Sequence, residues 1–501
     1  MSSNSFTFIF YLLSKLFAFL VMLFVMQSKG YCQLYISESS TVFVQDKDLL
    51  FVVGDIENSG TISNITLSGS LAQSLTGNGS IGLLKVNKST GTASILSGSN
   101  QSITESLDLT SGILSSNGSW TLKNTASGSV RVLSHTTNSS LIVNAVVEQY
   151  IDVSERPHQW RTQGFPYRTS LSLSFIFGFS IDYNVGSRSV MYFIEGADDG
   201  LYGATGSRNA GYVSFTSSSE SIQTGQGVMS WIYGNAGGRA GGGIMSGGLT
   251  IVSNGTLNES GSDVSLPLSY DANPVNQNNR GWNLVSNPFV STIDLNSLDI
   301  IKNNIGSSIY RWNPVSASWT IYNGLIGIPS GVDSYIEPET SFFVQAMMLI
   351  PVLSISQRAK TGNSTGFVHL KRAPRFNTLT GERVSGNIKL MGVRLTIKEQ
   401  GNELPDEAYL DISRSDASPG FDFKYDAASM ERTSGPSLAL MGTDGKAYAI
   451  QFDKLIDVRS DNPRYYPLRV SAPFKGGHSI TIKKEGFWDA RRRTWNGGNT
   501  S

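Results

Sequence analysis

Histidines are the first residues to test for chemistry, because paired imidazoles bind zinc or move protons. The four here, His135, His158, His369 and His478, fall in different segments, and none stands in an HExxH or similar spacing. Glu195, Asp198 and Asp199 in IEGADDG offer carboxylate oxygens to a hard cation such as Ca²⁺. Such an ion takes about six to eight oxygens, so a solvated turn is the simpler reading of this short acidic run. Asp422 and Asp426 in GFDFKYDAASM read as turn-capping carboxylates rather than a catalytic pair. The sequence contains no GxSxG elbow, no placed Cys nucleophile and no Walker loop, so acyl transfer and nucleotide hydrolysis have no carrier. Glycoside hydrolysis needs only two well-placed carboxylates, and the aromatic-rich centre of the chain is sparse in them. The sequence therefore nominates no catalytic, cofactor-binding or metal-binding residue, and a non-enzymatic protein without a cofactor is expected.

Aromatic rings could do a second kind of chemistry, the stacking of sugars. They concentrate between Gly281 and Ala346, in GWNLVSNPFVSTIDL, IYRWNPVSASWTIYN and IEPETSFFVQA. IYRW and WTIY are strand-like runs separated by turn formers, which predicts a hairpin. A period of two puts Tyr310 and Trp312 on one face, with Trp319 and Ile321 opposite them. Pro288 lacks a ladder donor, so the Asn287-Pro288 step ends the preceding strand, and FFVQA forms a core strand after a bend at Pro338. Trp282, Trp312, Trp319, Phe342 and Phe343 are read as packing anchors, and an exposed sugar-binding platform is the competing reading.

Lys plus Arg equals Asp plus Glu at 39 each, so no global field attracts nucleic acid, and neither nucleic acid nor nucleotide is expected as a partner. Charged residues make up only 16% and glycine occupies 52 of 501 positions, a turn-rich all-β composition long enough for several domains. Leu16 to Met26 is an apolar run behind Lys15, with Gly30 and Cys32 supplying small residues for cleavage before Gln33. That pattern predicts a secretory signal peptide. An uncleaved anchor and an acylated Cys32 are the alternatives, disfavoured by Lys15 within the longer apolar stretch and by a poor lipobox at Lys29, Gly30 and Tyr31. Cys32 is the sole cysteine, so a chain cleaved there has no disulfide.

Residues 33–148 run in short alternating segments such as TISNITLSGSL, SIGLLKV, SLDLTSGIL and SWTLKN, separated by Gly, Ser and Asn. Small units with few apolar residues share a core by stacking, which predicts a β-solenoid or β-helix, with an elongated sandwich as the alternative. Residues 149–350 read as a β domain built twice. Trp160 precedes Pro166 and Tyr167 as Trp282 precedes Pro288 and Phe289, and IQTGQGVMSW (Ile222–Trp231) echoes IEPETSFFVQ (Ile336–Gln345). The glycine-rich Gly234–Gly248 stretch reads as a loop, residues 351–375 as a linker containing Lys371–Arg375, and 376–501 as a β-sandwich with strands in VRLTIKE, AYLDISR, LALMG, AYAIQF, YYPLRV and HSITIKK.

GWNLVSNPFVSTIDL, the IYRWNP hairpin, the SGIL turn at Leu109–Leu114 and GFDFKYDAASM together resemble the multidomain secreted and surface proteins of Bacteroidetes-type bacteria that use the type IX secretion system. The commoner GNPYPS of that family appears here as Ser286, Asn287, Pro288, Phe289, Val290 and Ser291. The resemblance implies an N-terminal stalk, a β domain with GTLNESG (Gly255–Gly261) between its halves, and a domain that precedes a sorting signal. HSITIKKEGF here runs into WDARRRTWNGGNTS instead of further strands and a sorting domain, so the C-terminal sandwich is expected to be truncated. The resulting expectation is a secreted or outer-membrane-surface protein of structural or adhesin-like type. Its partners would be an extracellular glycan or surface protein, and the secretion translocon if a full-length chain carries the sorting domain. A carbohydrate-binding or carbohydrate-active surface protein and an accessory subunit of an outer-membrane complex are the rivals.

Overall fold

The computed structural model describes residues 34–44, 50–116, 119–125, 130–133, 139–142, 144–152, 159–177, 181–183, 189–198, 200–232, 248–259, 261–361, 392–399, 405–414, 416–418, 421–430, 436–454, 465–471, 478–485, 488–489 and 494–495. The expected signal peptide, Cys32, Asp199, His135, His158, His369, residues 234–247, Lys371–Arg375 and Arg491–Arg493 lie outside them. Among the described residues the regular structure is β-strand with a few 3-10 turns, and no helix is long and apolar enough to cross a membrane. The all-β expectation holds. Two compact units are present, one of residues 1–149, 252–262 and 361–367, the other of 150–251, 263–360 and 368–501.

The first unit is the solenoid read from the sequence. Its strands stack in parallel as three ladders: Ile62, Ile81, Ile103, Leu122 and Val147 align in one, Ile65, Leu84, Leu107 and Val132 in the second, and Ile56, Leu75 and Ile95 in the third. Successive members lie 19 to 25 residues apart, which is the length of one coil. All of these side chains are buried. One coil supplies only three or so inward aliphatics, and it is the stacking that takes each out of water, at about 1.5–3 kcal/mol per side chain.

Buried amides tie the coils where the chain turns. Gln101 Nε2 donates to Asn58 O at 3.0 Å and Gly77 O at 2.8 Å, and its Oε1 accepts from Asn58 Nδ2 at 2.9 Å. Gln73 Nε2 donates to the Val52 and Gly54 carbonyls, both at 2.9 Å, while its Oε1 receives Lys88 Nζ at 2.6 Å. Burial pushes the Lys88 ammonium below its ordinary range.

The second unit contains two antiparallel sheets of matching order. One runs Gln159–Gln163, Val228–Ile232, Val190–Phe193, Tyr212–Ser214. The other runs Trp282–Ser286, Ser341–Ala346, Ile305–Asn313, Ser318–Tyr322, with Gly327–Ile328 added at the edge. Each has a two-stranded ribbon beside it, Leu171–Ser172 with Ser221–Ile222 and Ile293–Asp294 with Tyr335–Ile336. The echo in the sequence coincides with the pairing: Trp160 lies opposite Trp231, and Trp282 opposite Gln345. Thr224-Gly225 and Pro338-Glu339 occupy equivalent turns of the two halves, with φ +71° at Gly225 and +58° at Glu339. Pro fits the first central position of such a turn, and a positive φ falls at the second.

Corresponding positions of the two sheets meet each other. Gly164 N donates to Glu339 O and Ser286 N donates to Gly225 O, a reciprocal pair at 2.9 Å each. A Cβ on Gly164 would lie 2.4 Å from Ser286 Cβ, and one on Gly227 2.8 Å from Ser341 Cβ. The backbones approach this closely because one member of each facing pair has no side chain.

Two boundaries differ from the sequence reading. Val352–Ile355 is a strand between Val264–Ser265 and Ile300–Asn303, and Leu353, Ile355 and Ala359 are core, so the region read as a linker from 351 begins with domain structure. The apolar run MMLIPVLSI signals this burial, but proline and the charged residues beyond it pull the boundary forward in a sequence-based division. Gly255–Gly261, expected between the halves of the central domain, belongs to the solenoid unit, with Leu257, Asn258 and Glu259 buried.

All six strands expected in the C-terminal region are present, ordered Leu468–Ser471, Ser437–Met441, Ala447–Lys454, Asp406–Arg414, Gly392–Glu399, His478–Glu485, with Ala427–Ala428 also on Ala447–Lys454. Tyr409, Tyr425, Ile450 and Phe452 enter the same apolar cluster as Trp282, Tyr310 and Phe343, so this sheet shares a core with the central domain. Ser308 Oγ to Asp426 O at 3.0 Å and Asn323 Nδ2 to Tyr425 O at 2.5 Å add polar ties.

Gly164→Ala should lower stability by about 1–3 kcal/mol through overpacking, and Gly164→Ala combined with Ser286→Gly should recover most of that loss in denaturant titrations. Additive losses in the double variant would refute the facing-pair contact.

Candidate functional site: rings and carboxylates of the second unit

The hairpin predicted from IYRW and WTIY forms in the expected register, Tyr310 opposite Ile321 and Trp312 opposite Trp319. Phe343 lies at the centre of the ring cluster. Its ring is 5.8 Å from Trp282, 5.2 Å from Trp319 and 4.9 Å from Phe193, all edge-on, the arrangement that the ring quadrupoles favour. Trp282 lies 4.8 Å from Tyr310, and the Arg208 guanidinium sits over the Trp282 ring at 4.2 Å. Trp312 Nε1 donates to Trp160 O at 2.7 Å. Phe342 points to the opposite face, where Val285, Phe289, Ile293 and Ile336 surround it. Four of the five anchors named from sequence are buried, and Trp319 is half-buried.

Asn287 explains the strand end better than Pro288 alone. Its Nδ2 donates to the carbonyls of Ser291 (2.8 Å), Ile336 (3.1 Å) and Glu337 (3.0 Å), and its Oδ1 accepts from Phe289 N at 3.0 Å. The amide is fully buried, and each of these bonds fixes the chain as it leaves the sheet.

Glu195 and Asp198, weighed above as cation ligands, instead hold backbone. The buried Glu195 carboxylate accepts from Asp271 N at 2.9 Å, Ser269 Oγ at 3.2 Å and Gly281 N. Asp198 Oδ1 accepts from Gly206 N at 2.7 Å. No group of three or more His, Cys, Asp or Glu among the described residues is placed to hold a metal.

A carboxylate cluster that the sequence reading passed over gathers around Arg311. Period-two alternation turns Arg311 away from Tyr310 and Trp312, and its guanidinium donates to Asp333 Oδ1 at 3.3 Å, Asp333 O at 3.0 Å and Tyr335 O. Burial pushes the Asp333 carboxyl up while Arg311 pulls it back. Asp294 Oδ1 accepts from Ser334 Oγ at 2.5 Å, Thr292 Oγ1 reaches Glu337 Oε2 at 3.4 Å, and Tyr322 OH accepts from Asn296 Nδ2 at 2.7 Å. Proton transfer would need a reachable pair of groups, whereas these bonds fasten the 333–337 segment to the sheet. A single arginine between two aromatics in IYRW was the available signal.

Asp422 and Asp426 cap turns as expected. Asp422 Oδ1 accepts from Lys424 N at 3.0 Å, and Asp426 accepts from Phe452 N at 2.7 Å and Asp422 N at 2.9 Å. Burial nevertheless pushes the Asp426 carboxyl up from 3.8 to about 7, against those two donors. Arg394 forms a buried ion pair with Glu407 at 2.8 Å and a second with Glu485 at 3.1 Å, and Glu407 also accepts from Ser330 N at 3.0 Å.

The chain matches no family model, no curated protein and no solved structure.

Glu195→Gln should cost about 1.5–3 kcal/mol, the range for hydrogen bonds to a charged group, and millimolar Ca²⁺ should leave the Tm unchanged. A Ca²⁺-dependent rise in Tm that Glu195→Gln abolishes would restore the cation site. The raised Asp426 carboxyl contributes stability that is complete below about pH 3.8 and lost as pH rises through about 7. Asp426→Asn should therefore flatten the fall in Tm between pH 4 and pH 7, the window bounded by those values. An unchanged profile would refute the assignment.

Proposed function

We propose that this chain is a secreted or cell-surface structural protein of adhesin-like type, whose solenoid and paired-sheet units are rigid display elements. The observation that carries this reading is the use made of the polar and aromatic groups. Trp282, Trp312, Phe342 and Phe343 fill cores, while Glu195, Asp426 and Asn287 are occupied by backbone donors and acceptors. Groups committed in this way maintain shape, and binding would fall to surfaces. The apolar run Leu16–Met26 behind Lys15 supports export, and the resemblance to type IX secretion proteins supports an outer-surface address.

The rival reading is glycan binding on the half-buried rings Trp160, Trp231 and Trp319. Trp160 and Trp231 are 5.3 Å apart and edge-on, and Trp319 packs on Phe343, so each already has an aromatic neighbour. The test combines surface labelling of intact cells with a glycan array. The scaffold reading expects the protein at the surface, no glycan selected, and a loss of roughly 2–4 kcal/mol for Trp319→Ala, below the full cost of removing a completely buried tryptophan. A glycan bound by the wild type and lost in Trp319→Ala at unchanged Tm would overturn it, as would a mature chain confined to the cytosol.

A further inference from the structure

We infer that the free edge of the strand His478–Glu485 is a docking site for an extended, acidic segment of a partner protein, which would join the C-terminal sheet as an additional strand. This goes beyond the scaffold reading by naming a binding edge and the chemistry of what it binds. The strand is the last in its sheet and pairs antiparallel with Gly392–Glu399 along its whole length. Its other edge has no strand partner among the described residues, so it offers a row of amide and carbonyl groups.

The side chains show that the core continues past this edge. Ile480 lies opposite Ile397, and Ile482 opposite Leu395. Opposed residues share a face, and Leu395 and Ile397 are buried with Ala408, Leu410, Leu438 and Leu440. Ile480 and Ile482 stand on that same face yet are 46% and 60% exposed. One more strand with aliphatic residues at alternate positions would cover both. A soluble sheet ordinarily ends in a polar strand, and here an apolar layer ends in water.

Charge selects the occupant. Lys484 lies opposite Val393 on the apolar face, and Lys483 lies opposite Arg394 on the other. The nearby Glu485 is engaged by Arg394 at 3.1 Å and Lys483 at 3.5 Å, so this end of the edge stays positive. A second copy of this chain in parallel would bring the same cations together, and an antiparallel copy with Ile480 opposite Ile482 would set Lys483 and Lys484 against Ser479 and His478, which offer them no carboxylate. An incoming segment with acidic residues at one end and alternating aliphatics at the other meets both demands, in the strand-addition mode of peptide recognition.

The probe is a fluorescein-labelled peptide Glu-Glu-Val-Thr-Val-Thr. Run antiparallel, it sets its glutamates opposite Lys484 and Lys483 and its valines opposite Ile482 and Ile480. With the full chain, saturable binding and slowed amide exchange across 478–485 are expected. Binding should weaken at least tenfold in Lys483→Glu/Lys484→Glu and be restored there by the peptide Lys-Lys-Val-Thr-Val-Thr. Ile480→Thr/Ile482→Thr, which keeps strand-forming residues, should weaken both pairings. The inference is overturned by no saturable binding, by equal affinity of the wild type for both peptides, by binding without protection of 478–485, or by concentration-dependent dimerisation that protects this strand without peptide.

Discussion

The second unit depends on one close approach: two sheets of the same strand order touching at corresponding positions, with glycine on one side of each contact. Gly164 against Ser286 and Gly227 against Ser341 leave no room for a second side chain, and the reciprocal bonds from Gly164 N and Ser286 N fix how the strand ends cross. Given that approach, Met229 and Phe343, which hold the same place in their respective strands, fall into one apolar cluster with Trp282 and Tyr310. The aromatic packing follows from the backbone contact, because rings meeting edge-on at about 5 Å tolerate little sliding. The C-terminal sheet then adds Tyr409, Tyr425 and Phe452 to a core already positioned.

The solenoid solves the problem of a small core differently. No coil could stand alone, since each contributes only a few inward aliphatics. Alignment of Ile62, Ile81, Ile103, Leu122 and Val147 makes every coil both roof and floor for its neighbours. Coil lengths vary, and the extra residues are absorbed between ladders while the inward positions stay in line. Gln73 and Gln101 satisfy carbonyls at the turns that water would otherwise have to reach.

Much of this was legible in the sequence because it rests on local rules. Alternation placed Leu107, Leu109, Trp120 and Leu122 inward, and the IYRW–WTIY pair gave the hairpin and its register. The order-preserving echo of Trp160 and Ile222–Trp231 in Trp282 and Ile336–Gln345 anticipated the matching strand order. What stayed hidden was long-range. Glu195 looks like part of an acidic turn, but its carboxylate is held by Asp271 and Gly281, more than seventy residues away in sequence. The cluster around Arg311 joins residues that no spacing connects. Gly164 and Gly227 carry meaning only once their partners are known. The boundary near 351 was misplaced because Val352–Ile355 pairs with Val264–Ser265, a contact that composition does not register.

The parallel stacking of the solenoid has a mechanical consequence. Between Ile62 and Val147 the inward ladder pairs the backbone of each coil with the one before and the one after, with 19 to 25 residues between equivalent positions. Tension applied to one end would load the outermost coil first and peel it away while the remainder kept its shape. Each such release would lengthen the chain by about 60–90 Å at roughly 3.3–3.6 Å per residue. A solenoid loaded this way would yield in steps, each release dissipating part of the pull.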